Sequence, residues 1–299
     1  MKIFVTGGTG FVGNVLVRLL AATGHQIVAL VRPGSEENLL KSPRVKMHLG
    51  DVTDHNDLAD GVHNCDAIIH LIGIIREYPD QGVTFSKLHV DATRNLIQAA
   101  NSQNVKRFLH MSANGAEEDG RTEYQRSKWQ AEQLLCRSEL DWTIFRPSLI
   151  FGPESDFIQT LAGQVKKLPL VPVPGDGKYR MQPVAVEQVA ETYLKALSIP
   201  ETIHQTYHLA GSKSYDFNEV LDLVGGALGK GSVTKVHQPV AIVKPAVKLL
   251  QGFDSFPLTE DQLVMLLEGN ECDPQRWKET FGIEPRSLAE GINDCFPFI

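Results

Sequence analysis

The chain has 299 residues, 42% of them hydrophobic, and a formal net charge of −7. That is enough apolar material for a sizeable core, in one large α/β domain or two small ones. With no basic excess, nucleic acid is not an expected partner. Cys65, Cys136, Cys272 and Cys295 are far apart and form no CxxC pair. They predict reduced core thiols of a cytoplasmic protein in place of a disulfide or zinc framework. The first strand starts one residue after Met1, which predicts no signal peptide, and no apolar run approaches the ~18 residues that would span a bilayer.

Residues Lys2 to Gly13 read KIFVTGGTGFVG. A short β-run, Ile3 to Val5, leads into Gly7, Gly10 and Gly13, and a helix-period apolar pattern from Phe11 follows, stopping at Gly24. Strand, glycine turn and helix together form a dinucleotide fingerprint. The turn needs backbone angles closed to larger residues. The helix N-terminus then offers free N–H groups to a pyrophosphate. Gly7, Thr9, Gly10, Phe11, Val12 and Gly13 are the expected cofactor loop. The TGGTGFVG form resembles the signature of the short-chain dehydrogenase/reductase proteins, especially their extended and atypical branches.

Further strands are expected at Gln26–Val31, Val45–Leu49, Ala67–Ile72, Arg107–Ser112 and Trp142–Arg146. Helices are expected at about Val83–Asn101 and Glu123–Arg137. Alternation of this kind predicts right-handed βαβ units in a Rossmann-type, doubly wound parallel sheet. After Pro147 the pattern loosens into a Pro- and Gly-rich stretch. Val184–Leu197 reads as a strand edge and helix that rejoins the sheet. The expected division is an NADP-binding domain over 1–150, completed by 183–200, and a smaller substrate-binding region over 151–299.

The second strand ends Leu30-Val31-Arg32-Pro33-Gly34-Ser35, with no carboxylate before Glu36. NAD-binding forms place Asp or Glu there to accept from the ribose hydroxyl. Arg32 instead suits a 2′-phosphate, through paired N–H donors and stacking on adenine. NADP(H) is therefore expected over NAD(H). By resemblance, Asp51 and Val52 fall at the family's adenine site, although Asp51 or Asp54 also suits a cap of the next helix. Leu71 and Ile72, after His70, fall where the family's backbone borders the nicotinamide ribose. His70 itself reads as structural.

Tyr124-Gln-Arg-Ser-Lys128 is YxxxK on a helix, so both side chains share one face. A lysine one turn away is expected to stabilise phenolate and lower the phenol pKa. Ser112, at the end of the fifth strand, can hold a substrate oxygen while Tyr124 moves its proton. The set resembles the family's Ser–Tyr–Lys triad, with Lys128 also a ribose ligand. Pro147, in Phe145-Arg146-Pro147, resembles the element that backs the nicotinamide. Two places depart from the family pattern: His89 stands where the family has Asn, and Met111-Ser112-Ala113-Asn114-Gly115 replaces the usual serine run.

The tail, LTEDQLVMLLEGNECDP followed by FGIEPRSLAEGI, resembles the atypical group related to the 39-kDa accessory subunit of respiratory complex I. That group implies tight NADP(H) binding and often unproven catalysis. The expected function is an oxidoreductase acting on a secondary alcohol or ketone. One alternative is a nucleotide-sugar epimerase or dehydratase. The other is a non-catalytic NADPH-holding scaffold or assembly factor for a membrane quinone-linked complex. Arg180 stands where the extended branch keeps a phosphate-binding arginine. The apolar runs Leu168–Pro174 and Val240–Val247, with Leu249 and Leu250, suit an apolar small-molecule substrate, a peripheral membrane contact, or ordinary core.

Overall fold

A computed structural model describes residues 1–253, 256 and 258–296. Strands β1 (Lys2–Thr6), β2 (Gln26–Val31), β3 (Val45–Leu49), β4 (Ala67–His70), β5 (Arg107–Met111) and β6 (Asp141–Pro147) alternate with helices α1 (Phe11–Ala22), α2 (His55–Val62), α3 (Ala92–Ser102) and α4 (Glu123–Cys136). The six strands pair in parallel. With Gln205–Leu209 they form one seven-stranded sheet, ordered Gln205–Leu209, β6, β5, β4, β1, β2, β3. This is the doubly wound order, whose reversal lies beside β1 at the carboxyl ends of the strands. The second and third strands run over the expected residues, whereas the fourth and fifth end earlier, at His70 and Met111.

The chain forms two compact units. The first comprises Met1–Pro147, Glu187–His208 and Arg276–Ile283; the second comprises Ser148–Val186, Leu209–Gln275 and Glu284–Ile299. In the first unit, Phe4, Val28, Ile68 and Phe108 project from one sheet face onto Leu96, Ala99 and Leu135 of α3 and α4. Thr122 and Gln125 start α4 with a reciprocal capping box, which fixes where the Tyr124 turn begins.

The expected single helix over Val83–Asn101 is two elements. A π-helical turn, Ser86–Asp91, precedes α3 and buries His89 and Val90. Such turns insert an extra residue into a helix and concentrate at functional sites.

In the second unit, a helix at Asp156–Lys167 lies inside the stretch that reads as irregular from its Pro and Gly content. Ile158 and Leu161 join Phe151, Phe217, Leu221 and Leu288 in that unit's core. The two apolar runs divide. Val171 and Val173 are buried, but Leu168 and Leu170 are exposed. On the helix Val240–Leu250 only Val247 is buried, and Leu249 is 78% exposed.

Cys65 and Cys295 are buried free thiols, as expected of core cysteines, whereas Cys136 is exposed and Cys272 half-buried. Cys136 ends α4, where the helix surface meets solvent. Among the described residues no helix is long and apolar enough to cross a membrane, and no His, Cys, Asp and Glu group could hold a metal ion.

Candidate cofactor and catalytic site

The glycine turn is built for a close approach. Gly7 has φ +75°, in the left-handed region. A Cβ on Gly13 would collide with the carbonyl of Gly7 and the backbone of Gly8, so α1 can pack this closely only with bare backbone at that position. Gly10 caps α1 without a side-chain hydrogen bond, and no acidic residue sits in the first turn. The positive end of α1 is therefore left to an external anion. These features fit a dinucleotide pyrophosphate beside Gly7, Thr9, Gly10, Phe11, Val12 and Gly13.

At the end of β2, Arg32 is exposed and Gly34 turns with φ +90°. Asp51, after β3, accepts from the N–H and the hydroxyl of Thr53, at 2.8 and 2.7 Å. The cap of α2 is Asp54, which accepts from Asn56 N–H at 2.8 Å. Val52 and Leu71 are buried and Ile72 is half-buried. Leu71 N–H donates to Thr6 O at 3.1 Å, tying the strip after β4 to the end of β1.

Lys128 is buried, and its Nζ donates to Met111 O at 3.1 Å. A Cβ on Gly73 would lie 2.8 Å from that Nζ, so glycine there leaves room for the amine. Burial pushes Lys128 down to about 8, against an opposing pull from Glu132. Glu132, one turn further on, is itself buried in a bidentate pair with Arg146, at 2.9 and 2.6 Å. The phenol of Tyr124 moves opposite to the expectation: burial pushes it up to about 12. Desolvation disfavours phenolate, and in this arrangement the Lys128 amine is turned to the Met111 carbonyl.

Ser112 Oγ is buried without a hydrogen-bond partner, so the two hydroxyls of the expected triad are not bonded to each other. Pro147 is buried at the end of β6, and its carbonyl accepts from Asn114 N–H at 2.9 Å. In the second unit Arg180 is committed to protein partners. Its Nε meets Glu271 at 3.1 Å and its NH2 group donates to Ser214 O at 3.2 Å.

Three histidines surround this region. His89 Nδ1 lies 2.8 Å from Ser127 Oγ, and its Nε2 accepts from Ile74 N–H at 3.1 Å. Its ring stacks on Phe85 and meets Tyr124 edge-on, with centroids 5.3 and 5.6 Å apart. His70 and His110 pair across β4 and β5 with rings 5.3 Å apart, both fully buried. His70 Nδ1 meets Thr6 Oγ1 at 2.7 Å, while His70 Nε2 and both His110 nitrogens have no partner. Burial, reinforced by the Lys128 charge, holds His70 down at about 3 and His89 at about 2. His110 was not singled out from the sequence. The signal was available: His70 and His110 have the strand parity of the core residues Ile68 and Phe108.

This fold, glycine turn and α1 terminus define a Rossmann protein of the nucleotide-binding kind. The chain belongs to the NAD dependent epimerase/dehydratase family, whose profile matches residues 3–210. It is 29% identical over 244 residues to the mitochondrial NADH dehydrogenase [ubiquinone] 1 alpha subcomplex subunit 9 of Dictyostelium discoideum, covering 79% of this chain and 66% of that protein. It is 28% identical to the NADH-ubiquinone oxidoreductase 40 kDa subunit of Neurospora crassa, covering 95% and 76%. It is 24% identical to the photosystem II assembly factor Ycf39 of Synechocystis, covering 97% and 88%. The chain thus spans about two thirds to three quarters of the two respiratory relatives. Among solved structures, gox2253 superposes with a TM-score of 0.78 at 25% identity, over 99% of this chain and 97% of that one. A UDP-glucose 4-epimerase from Thermotoga maritima gives 0.77 at 20% identity, over 100% and 98%, and shares the fold.

Proposed function

We propose that the chain binds NADP(H) in preference to NAD(H) and is an oxidoreductase for a secondary alcohol or ketone. Residues 1–150, completed by 183–200, form the cofactor domain in this reading, and 151–299 the substrate region. The observation that carries it is Lys128: a buried amine one turn from Tyr124, with no carboxylate bonded to it, at the carboxyl edge of the sheet. The bound cofactor supplies or accepts hydride. Tyr124 gives or takes the substrate proton, Lys128 holds the ribose and favours phenolate once its amine leaves the Met111 carbonyl, and Ser112 Oγ turns its unused hydrogen-bonding capacity to the substrate oxygen. Arg32 holds the 2′-phosphate, Asp51 and Val52 the adenine, and Leu71, Ile72 and Pro147 flank the nicotinamide. The free thiols fit a cytoplasmic setting.

A second reading is a cofactor-holding scaffold or assembly factor on a membrane-associated complex. It draws on the exposed apolar face of Val240–Leu250, where Ile242 and Leu249 point outward, and on the likeness to a respiratory-complex subunit and a photosystem assembly factor. The third, a nucleotide-sugar epimerase, would call on Arg180, whose pairing with Glu271 must then be exchanged for phosphate.

The test is a cofactor retained through purification and identified by mass, followed by titrations and a substrate screen. NADPH should bind at least ~tenfold more tightly than NADH, and Arg32→Glu should abolish the difference. Equal affinities in the wild type would remove the NADP(H) assignment. On an authentic substrate, Tyr124→Phe should lower turnover by ~10²-fold with cofactor affinity intact. Full turnover in that variant would overturn the assignment of Ser112, Tyr124 and Lys128 to the chemistry.

A further inference from the structure

Neither ring nitrogen of His89 is available to pass a proton. Nε2 accepts from Ile74 N–H. A neutral imidazole has one N–H, so the proton sits on Nδ1 and is donated to Ser127 Oγ. Ser127 Oγ in turn donates to Tyr124 O at 3.0 Å. The ring is 1% exposed, stacked on Phe85 and set edge-on to Tyr124. One side chain thus joins three pieces of chain: the strip after β4, the π-helical turn, and the first turn of α4.

The π-helical turn contributes to this. It carries Phe85 and His89 into the same buried stack, with Phe85 N–H donated to Glu77 at 2.6 Å. Beside the Tyr124 phenol, which meets the ring edge-on, the groups that act on the imidazole are Lys128 from α4 and His70 from β4. Lys128 and His70 oppose a second proton on the ring, as does its burial.

We propose that His89 is a positioning residue: a neutral imidazole that pins the Ile74 backbone to the Tyr124 turn of α4 and so sets the strip Leu71–Ile74 for the cofactor. This rests on the cofactor reading given above. It assigns His89 a different task from proton transfer, and it identifies the hydrogen bond to Ile74 as the part that matters for the cofactor.

Three substitutions separate the parts of the ring. His89→Gln keeps an acceptor near the Nε2 position, His89→Asn keeps a group near Nδ1, and His89→Phe keeps only the stacking. NADPH should bind to His89→Gln within about twofold of the wild type, and about tenfold more weakly to His89→Asn and His89→Phe. Amide exchange at Ile74 should accelerate about tenfold in the same two variants and not in His89→Gln. Nitrogen NMR of the wild type should show the Nδ1–H tautomer unchanged from pH 5 to 8. Wild-type cofactor affinity in His89→Phe, or a titration of His89 within that range, overturns the proposal. A wild type that binds no dinucleotide defeats the cofactor reading instead, and Ile74 exchange then decides whether the pin exists.

Discussion

Two rows of side chains cross the same face of the same sheet, two residues apart, and they differ in almost every respect. The first runs Val28, Phe4, Ile68, Phe108 and Trp142; the second runs Leu30, Thr6, His70, His110 and Ile144. The first is core, closed by Leu96 and Leu135. The second is as deeply buried at its centre, yet three of its ring nitrogens and the nearby Ser112 Oγ have no partner. Buried polar atoms without partners each cost about 1–3 kcal/mol. Four such atoms, His70 Nε2, both His110 nitrogens and Ser112 Oγ, gather at the carboxyl ends of the strands, beside Lys128 and the glycine turn. One row fastens the helices to the sheet; the other keeps polar chemistry dry.

The sharpest way to break the comparison is acid. An imidazole held neutral in the folded chain takes up its proton near 6.5 when unfolded, so below that pH the unfolded chain binds more protons. Stability should therefore fall as pH drops from 6.5, toward about 3 for His70 and about 2 for His89. Each histidine contributes about 1.4 kcal/mol per pH unit, or at most about 4 for the three together. Denaturant melts between pH 7 and 4.5 measure this. A flat profile would mean that the imidazoles are hydrated and exchange protons freely.

Next in size is Phe108→Ala in the apolar row, which should cost about 3–5 kcal/mol in the same melts. It should leave the pH slope unchanged, because the row carries no proton. The smallest effect sharpens the contrast: His110→Leu removes two unpartnered nitrogens and should stabilise by about 1 kcal/mol while flattening the slope by about a third. Destabilisation by that substitution would show that water or another group already satisfies His110.

Much of this was legible in the residues. β2 and β3 could be bounded because apolar runs met Gly, Pro or Asp at both ends, and the glycine spacing placed the turn that α1 closes. Asp54 and Asp51 were not separable by type; the choice depended on which carboxylate the turn aimed at Asn56. The π-helical turn was hidden because one extra residue leaves a helix-like apolar pattern from Val83 to Asn101. The helix Asp156–Lys167 was masked by the prolines on either side of it. The direction of the Tyr124 shift was missed because spacing puts Lys128 within a turn but cannot show that its amine faces Met111 O. The tertiary surroundings also decide that Arg180 is paired with Glu271.

The first unit's division into three stretches of chain has a consequence for how it is made. Strand β6 takes its outer hydrogen-bonding neighbour from Gln205–Leu209. Phe145 on β6 is enclosed by Tyr193, Tyr207 and Phe281, and Trp277 reaches Thr192 through a 2.8 Å hydrogen bond. A ribosome that has released residues 1–150 has therefore supplied the glycine turn, α4 and Lys128, but not the cover for the edge strand. Until the later stretches emerge, β6 offers a bare edge and an uncovered aromatic ring to other chains. Closing that edge is a long-range event, slow by topology and vulnerable to aggregation. The stretch that carries the nucleotide signature thus stays incomplete until residues 187–208 and 276–283 arrive.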